Sequence, residues 1–489
     1  MNQARIVDHS VHLFYEFSYE FPLDSFDNDK CRKNFDEQIK QATVNAGADA
    51  CIKLLARKSG KTMWQPLVGG DALGDLEPHM QAILGGDTKI CLAYKLATTD
   101  LVSKYHCLGE HEGRNVTKKK NWKIQYTAAA KKRSGMSSVE LQINEMRLFV
   151  FRSGVALLEV TVKHQGDVTQ ELLLESNYAL THDYTQDDCP LGSVHAGDLR
   201  DLAAALVPTI GNFRPKVIKG RVNIYTIAKL ESNPGVEALR SLGMRLAQRQ
   251  TSDYLLLEEN TLQHCLTPFS NLCHSAAVEG GASLVATVSD QGSSFVNNFV
   301  TATGRRTYLP IYVYQLHNHY WLLNHLRGIS CEGSIGGPAE DVRLDQKLES
   351  IVDFRRYFQF SQISQISAHN SYHDLWQREL KAEERFRHLN EAANTIGEHV
   401  RERRTRWVSH VTATVGGYLL GSGLMENLSK VVPMINLPNL LLENLSDARH
   451  KEHLRQLSES WDIAIVCGGL LIAASSFYLS WRFHRKAEY

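Results

Sequence analysis

Eighteen consecutive residues near the end of the chain, Ile463 to Ser480, carry no formal charge. Ile463, Ile465, Val466, Leu470, Leu471, Ile472, Phe477 and Leu479 lie in this run, and Trp461 and Trp481 bracket it. As a helix rising about 1.5 Å per residue it covers roughly 27–30 Å, close to the thickness of a bilayer's hydrocarbon core. Tryptophans at both ends suit the headgroup level. Arg482, Arg485 and Lys486 follow at once, which favours a membrane span at 461–481 over a buried core helix. A second uncharged stretch, 407–425, runs from Trp407 to Met425. It is more polar, with Ser409, His410, Thr412, Thr414 and Ser422 and four glycines. Gly417 and Gly421 have the G-x-x-x-G spacing that lets a neighbouring helix approach. An amphipathic helix lying on a surface is the competing reading.

Basic residues set the expected orientation. Arg401, Arg403, Arg404 and Arg406 precede the first stretch, and the basic tail 482–489 follows the second. Both termini are therefore expected in the cytoplasm, with the chain in the inner membrane. The loop between, 426–460, holds an apolar section, Val431 to Leu445, broken by Pro433 and Pro438. No apolar leader is visible between Met1 and Glu20.

Upstream, 339–406 reads as a helical stalk. No proline occurs between Pro338 and Pro433, and good helix formers dominate. Phe386, Ala393, Val400 and Trp407 repeat every seven residues, interleaved with Leu389 and Ile396, although Arg403 interrupts the second series. That is a heptad seam, and it predicts one helix from about Ser371 to Met425, roughly 80 Å long. Several subunits around an axis, or lengthwise packing on the chain's own soluble domain, are the two ways to bury it.

The first 335 residues read as an α+β or α/β domain, the sensor or ligand-binding part. Leu148–Phe151 and Val155–Val162, joined by Arg152-Ser153-Gly154, predict a hairpin. Val222–Ile227, Tyr254–Leu257 and Ser283–Val288 are further strand candidates, and Tyr308–Leu326 reads as a buried helix. Formal net charge is zero, so only local charge points to a partner. Between Arg114 and Arg133 stand eight basic residues and no acid. Lys118, Lys119, Lys120 and Lys123 are interleaved with Trp122 and Tyr126, and cations beside aromatic faces suit phosphates and bases. These residues, with Arg152, are the candidate ligand site; a solvated loop is the alternative. The spacing of His264-Cys265 and Cys273-His274 fits a buried cysteine pair better than zinc. His317, His319 and His325 do not share a helix face. The nine cysteines are scattered without a Cys-x-x-Cys pair, which fits a reducing compartment. No residue set reads as catalytic and none as a metal site, and no resident cofactor is expected.

A cytoplasmic α/β domain, a stalk helix entering the first of two C-terminal membrane helices, and a basic tail together resemble the CorA family of divalent-cation channels. More narrowly, the chain resembles the CorA-like membrane effectors associated with type III CRISPR systems. The likeness lies in Leu148–Val162, Tyr308–Leu326 and the chain from Phe358 onward. It implies a homopentamer, a first membrane helix that lines a pore, and gating by a nucleotide second messenger such as an adenylated S-adenosylmethionine, in antiviral defence. The transporters' contiguous Gly-Met-Asn is replaced here by Gly423-Leu424-Met425-Glu426-Asn427, which argues against selective magnesium transport. The pore-lining candidates are Ser409, Thr412, Gly416 and Gly423, which share a face at helical spacing, with Glu426 and Asn427 at the helix end. The expected partners are membrane lipid, further copies of the chain, a small nucleotide, and a divalent cation such as Mg2+ as permeant ion; direct nucleic-acid binding is not expected. Housekeeping cation transport, or a membrane-tethered binding protein without a pore, are the alternatives.

Overall fold

Strand β1 (Arg5–Ser18) alternates between two kinds of side chain, and the fold is organised by that alternation. Val11, Leu13, Tyr15 and Phe17 join one aliphatic core, whereas Ser10, His12 and Phe14 face the opposite side. The structure, a computed structural model, describes residues 5–21, 29–41, 64–67, 76–78, 80–81, 90–97, 105–107, 117–119, 122–126, 128–182, 196–210, 212–217, 222–254, 256–288, 294–330 and 338–431.

After β1 come α1 (Asp29–Gln41), β2 (Trp64–Pro66), β3 (Cys91–Leu96), β4 (Tyr105–Cys107), β5 (Thr117–Lys119), β6 (Trp122–Gln125) and α2 (Ala128–Ser134). The long hairpin β7 (Ser138–Phe151) and β8 (Val155–His164) follows, then β9 (Val168–Thr169), α3 (Gln170–Thr181), α4 (Ala196–Leu206), β10 (Lys216–Val217), β11 (Asn223–Leu230) and α5 (Val236–Ala247). Next are α6 (Glu258–Gln263), β12 (Cys265–Phe269), β13 (Leu272–Ala277), β14 (Gly280–Ala286), α7 (Ser294–Asn298) and a π-helix (Phe299–Tyr308). The described chain ends in α8 (Leu309–Ser330), α9 (Pro338–Phe358), α10 (Ser367–Glu379) and α11 (Ala382–Val431).

Among the described residues, twelve strands form one sheet with the order β12-β13-β14-β11-β1-β8-β7-β3-β2, to which β6, β9 and β10 add at the sides. All of its pairings are antiparallel except β11 with β14. Strands β4 and β5 pair separately. The β7–β8 hairpin forms as its sequence predicts, and Gly154 makes its turn possible. Its φ of +82° is unfavourable for other residues, and a Cβ there would collide with the Tyr19 carbonyl. The predicted helix over Tyr308–Leu326 corresponds to α8, and two predicted strands fall within or across β11 and β14. Of the strand candidate Tyr254–Leu257, the described residues Tyr254, Leu256 and Leu257 are not in a strand, and Leu257 leads into α6.

Helices α3 and α5 pack on one face of the sheet and close the aliphatic core around Leu172, Leu173, Leu239, Leu242 and Leu246. The π-helix, α8 and α10 cover the other face. There the contacts are aromatic: Tyr312 of α8 meets Phe14 edge-on at 5.3 Å and stacks on Tyr225 at 4.8 Å.

The expected stalk and transmembrane hairpin require correction. The chain is a mixed α/β protein built on a large sheet, and no helix among the described residues is long and apolar enough to cross a membrane. Residues 407–425 lie within α11, a helix of 50 residues. The physical reason is its polarity, from Ser409, His410, Thr412, Thr414 and Ser422, after the arginines at 401–406. The second expected segment, 461–481, lies outside the described residues, as do the loop from 432 and the tail 482–489. Nor is Ser371–Met425 one helix: α10 ends and α11 begins across Lys381, whose φ is +50°. Two compact units divide the chain, Met1–Glu391 and Ala392–Tyr489. The sheet, α9 and α10 all belong to the first.

Candidate functional sites on the two faces of the sheet

On the aliphatic face, α3 and α5 bound an open cleft of about 780 Å3. Its walls come from Gln170, Glu171 and Leu174 of α3, from residues 234–238 at the start of α5, and from Ser241, Leu242, Arg245 and Ser252. The local sequence builds both helix starts. Thr169 caps α3 by accepting from the Leu172 amide at 3.2 Å. Asn233 turns the chain into α5 by accepting from the Gly235 amide at 3.0 Å, while Gly235 itself, at φ +94°, gives α5 no side-chain cap. The first-turn amides of α5 thus keep their donors, and a helix N-terminus favours negative charge. Arg245 donates to the Thr251 carbonyl at 3.0 Å, which fixes its guanidinium at the cleft wall. Glu171 and Glu237 add carboxylates, so the cleft holds both signs of charge beside apolar Leu174 and Val236.

The basic segment singled out by sequence reaches α3 at its C-terminal end. The Tyr126 hydroxyl donates to the Leu172 carbonyl at 3.3 Å. Arg133 of α2 pairs with both Glu175 of α3 and Asp253, the neighbour of Ser252 in the cleft wall. Lys118 and Lys119 lie on β5, opposite His106 and Tyr105 of β4. Lys120 lies outside the described residues. Trp122 and Lys123 lie on β6, opposite Leu141 and Glu140 at the first end of β7. Arg152 follows the other end of that 14-residue strand, roughly 40 Å away along it. The structure therefore does not bring Arg152 to Tyr126. Arg152 is buried instead, donating to Asp353 at 2.8 Å with its guanidinium over the Tyr357 ring.

The opposite face carries a buried polar layer that the sequence reading missed. Ser10 and His12, two apart on β1, point to the same side. The Ser10 hydroxyl and His12 Nε2 share a hydrogen bond of 2.9 Å, and His12 Nδ1 stands 2.7 Å from Glu159 Oε1 on β8. Thr161 donates to the same carboxylate at 3.0 Å. Arg147 of β7 pairs with Glu159 at 2.6 Å. Burial opposes ionisation of Glu159, but the Arg147 guanidinium and His12 hold its carboxyl down at about 2. Burial also lowers His12, against the pull of Glu159, which favours the neutral imidazole. A proton on Nδ1, directed at Glu159, leaves Nε2 free to accept from Ser10.

Beside it, Glu145 pairs with Lys95 at 3.0 Å and with Arg305 of the π-helix. Gly304 brings that helix onto the sheet: a Cβ there would come within 2.9 Å of the Ile227 side chain and of the Phe299 carbonyl. Further along the same face, His274 Nδ1 and Ser283 Oγ are 2.6 Å apart, Ser283 and Tyr225 2.5 Å, and Tyr225 and Tyr372 2.6 Å. Burial pushes His274 down to about 3.

The histidines of α8 and the Cys265–Cys273 pair have ordinary partners. His317 bonds Ser153, His319 bonds Arg385 and His325 bonds Ser350. Cys265 and Cys273 lie 3.2 and 3.7 Å from the Ser275 hydroxyl. No cluster of three metal-ligand side chains is found among the described residues. On α11, Ser409 and Thr412 are exposed and Gly416 half-buried, with Gly423, Glu426 and Asn427 farther along the same helix.

No protein-family model, no curated protein and no solved structure matches this chain.

Proposed function

We propose that this chain is a ligand-responsive effector of the CorA-like kind, in which the sheet domain binds a small anionic nucleotide and a homo-oligomer acts on a membrane. The observation that carries the reading is the cleft between α3 and α5. Its volume of about 780 Å3 suits a nucleotide-sized molecule. Arg245 and the uncapped start of α5 supply the phosphate-facing charge, Leu174 and Val236 the apolar surface for a base. The lipid contact is assigned to the uncharged run Ile463–Ser480. Ion passage is the output implied by the resemblance. A binding protein without a pore is the second reading, for which the cleft alone suffices.

Calorimetric titration of the full chain with AMP and with adenylated S-adenosylmethionine tests the ligand. Ser241→Trp fills the cleft and Arg245→Ala removes its cation; each is expected to weaken binding at least about 10-fold, the worth of one charged hydrogen bond. Saturable binding of equal affinity in both variants removes the cleft from the function, and no heat with either nucleotide removes the ligand class. Ligand-dependent ion release from vesicles carrying the protein separates the effector from the simple binder.

A further inference from the structure

The polar layer on the other face has the connectivity of a nucleophile relay. Ser10 Oγ, His12 and Glu159 Oε1 form a hydroxyl–imidazole–carboxylate chain with links of 2.9 and 2.7 Å, within the hydrogen-bond reach that serine hydrolases use. The third member is held as such a site requires. Glu159 is ionised, wholly buried and fixed by Arg147 and Thr161, so it orients the imidazole. The neutral imidazole presents its free Nε2 to the hydroxyl.

The placement also supplies a cover. Ser10 lies opposite Ile227 in the β1–β11 register. Ile227 is the sheet residue that a Cβ at Gly304 would meet, at 2.9 Å. The roof therefore touches down on the strand pair that carries the hydroxyl, and Ser10 is only 8 % exposed. π-Helical turns are rare, and they concentrate at functional sites. Arg305, paired to Glu145, and Arg306, exposed, give the roof positive charge.

The geometry points to Ser10, His12 and Glu159 as a second, hydrolytic site, which takes the acyl group of a small carboxylic ester when the π-helical roof lifts. Ser10 Oγ attacks the carbonyl carbon as its proton passes to His12 Nε2. The ester C–O bond breaks, and the leaving alkoxide takes that proton from His12 to depart as an alcohol. Water then gives a proton to Nε2 and its hydroxyl to the acyl carbon, the Oγ–C bond breaks, and His12 returns the proton to Ser10. A carboxylic acid leaves, and no oxidant or reductant is needed. The site is independent of the cleft on the opposite face and of the ligand assigned there.

The test is labelling of the full-length protein by a fluorophosphonate probe, read by peptide mass, beside turnover of p-nitrophenyl acetate. Wild-type protein is expected to carry the adduct on Ser10. Ser10→Ala is expected to lose both adduct and turnover. Glu159→Gln, which keeps the shape and an acceptor, is expected to slow labelling at least about 100-fold through the wrong imidazole tautomer. Gly304→Ala pushes the roof off Ile227 and is expected to speed labelling about 3-fold or more, given that a buried hydroxyl reacts only from the open state. Circular dichroism and melting temperature confirm that each variant is folded. Absence of a Ser10 adduct in folded wild type and folded Gly304→Ala overturns the proposal and leaves a purely structural hydrogen-bond chain. Undiminished turnover in Ser10→Ala overturns it equally.

Discussion

The two faces of the sheet are closed by different physics, although they share the same strands. On one, Leu13, Leu158 and Val160 join the cluster closed by Leu172 of α3 and Leu242 of α5. The contacts there are mainly apolar and non-directional, with His9, His164 and Ser176 and the Asn177–Thr226 pair as polar insertions. On the other, Ser10, His12 and Glu159 bond one another and Arg147 of β7, while the covering helices add Arg305 against Glu145 and Tyr372 against Tyr225. An aliphatic layer tolerates repacking. A buried ionic layer does not, because each member left without its partner costs more than the pair contributes. The first face therefore carries stability and leaves room for an open cleft; the second fixes one geometry.

Truncating one member on each face is the strongest way to break this comparison. Arg147→Ala strands the Glu159 carboxylate among His12 and Thr161, and is expected to cost about 3–5 kcal/mol. Leu158→Ala, on the aliphatic side of the neighbouring strand, is expected to cost about 3 kcal/mol from lost transfer and residual cavity. The decisive measurement is the double replacement Arg147→Met with Glu159→Leu in urea denaturation. Recovery to within about 1 kcal/mol of wild type shows that the polar face is held for its geometry. A double variant as unstable as Arg147→Ala makes the ion pair a source of stability and erases the distinction.

What was legible in the sequence follows the same division. The β7–β8 hairpin, β11, β14 and α8 were visible because apolar runs and a glycine turn are local signals. The polar layer was not, because Ser10 and His12 meet Glu159 only through pairing across 147 positions. One signal was there to be read: Ser10-Val11-His12-Leu13 alternates polar and apolar with a period of two. The cleft needed the approach of α3 and α5, 66 residues apart at their starts, which no periodicity records. The π-helix has no composition of its own to announce it. At the C-terminal end of the described chain, the polar residues and glycines of α11 outweigh its absence of formal charge over 407–425.

Acidity sharpens the comparison next. Glu16 belongs to the polar face, where burial raises its carboxyl to about 7 although Asn324 donates to it at 3.0 Å. A carboxyl raised on folding binds protons more tightly in the folded state. Its contribution is complete below the ordinary value of 4.5 and is lost as pH rises through 7. Glu16→Gln is therefore expected to gain about 2–3 kcal/mol at pH 8 and under about 1 kcal/mol at pH 5. Histidines bend the opposite limb. Burial lowers His9 to about 4, with Lys163 adding to the effect and Asp8 opposing it, and lowers His274 to about 3. Both stay neutral when folded and take a proton when unfolded below 6.5, so stability falls as pH drops from 6.5 towards 4. Chemical denaturation across pH 4 to 9 reads both limbs; an equal gain for Glu16→Gln at pH 5 and pH 8 rejects the raised carboxyl.

The smallest expected effect lies at the mouth of the cleft. Thr169→Ala removes the cap of α3 and is expected to cost about 1 kcal/mol. Because the capped turn carries Gln170 and Glu171 into the cleft wall, the same change is also expected to weaken nucleotide binding on the aliphatic face. Labelling at Ser10, through the sheet, is expected to stay as in wild type. Measured together, the two readouts ask whether the faces act separately. If Thr169→Ala changes binding and labelling in parallel, the sheet couples them, and the cleft and the polar layer belong to one mechanism instead of two.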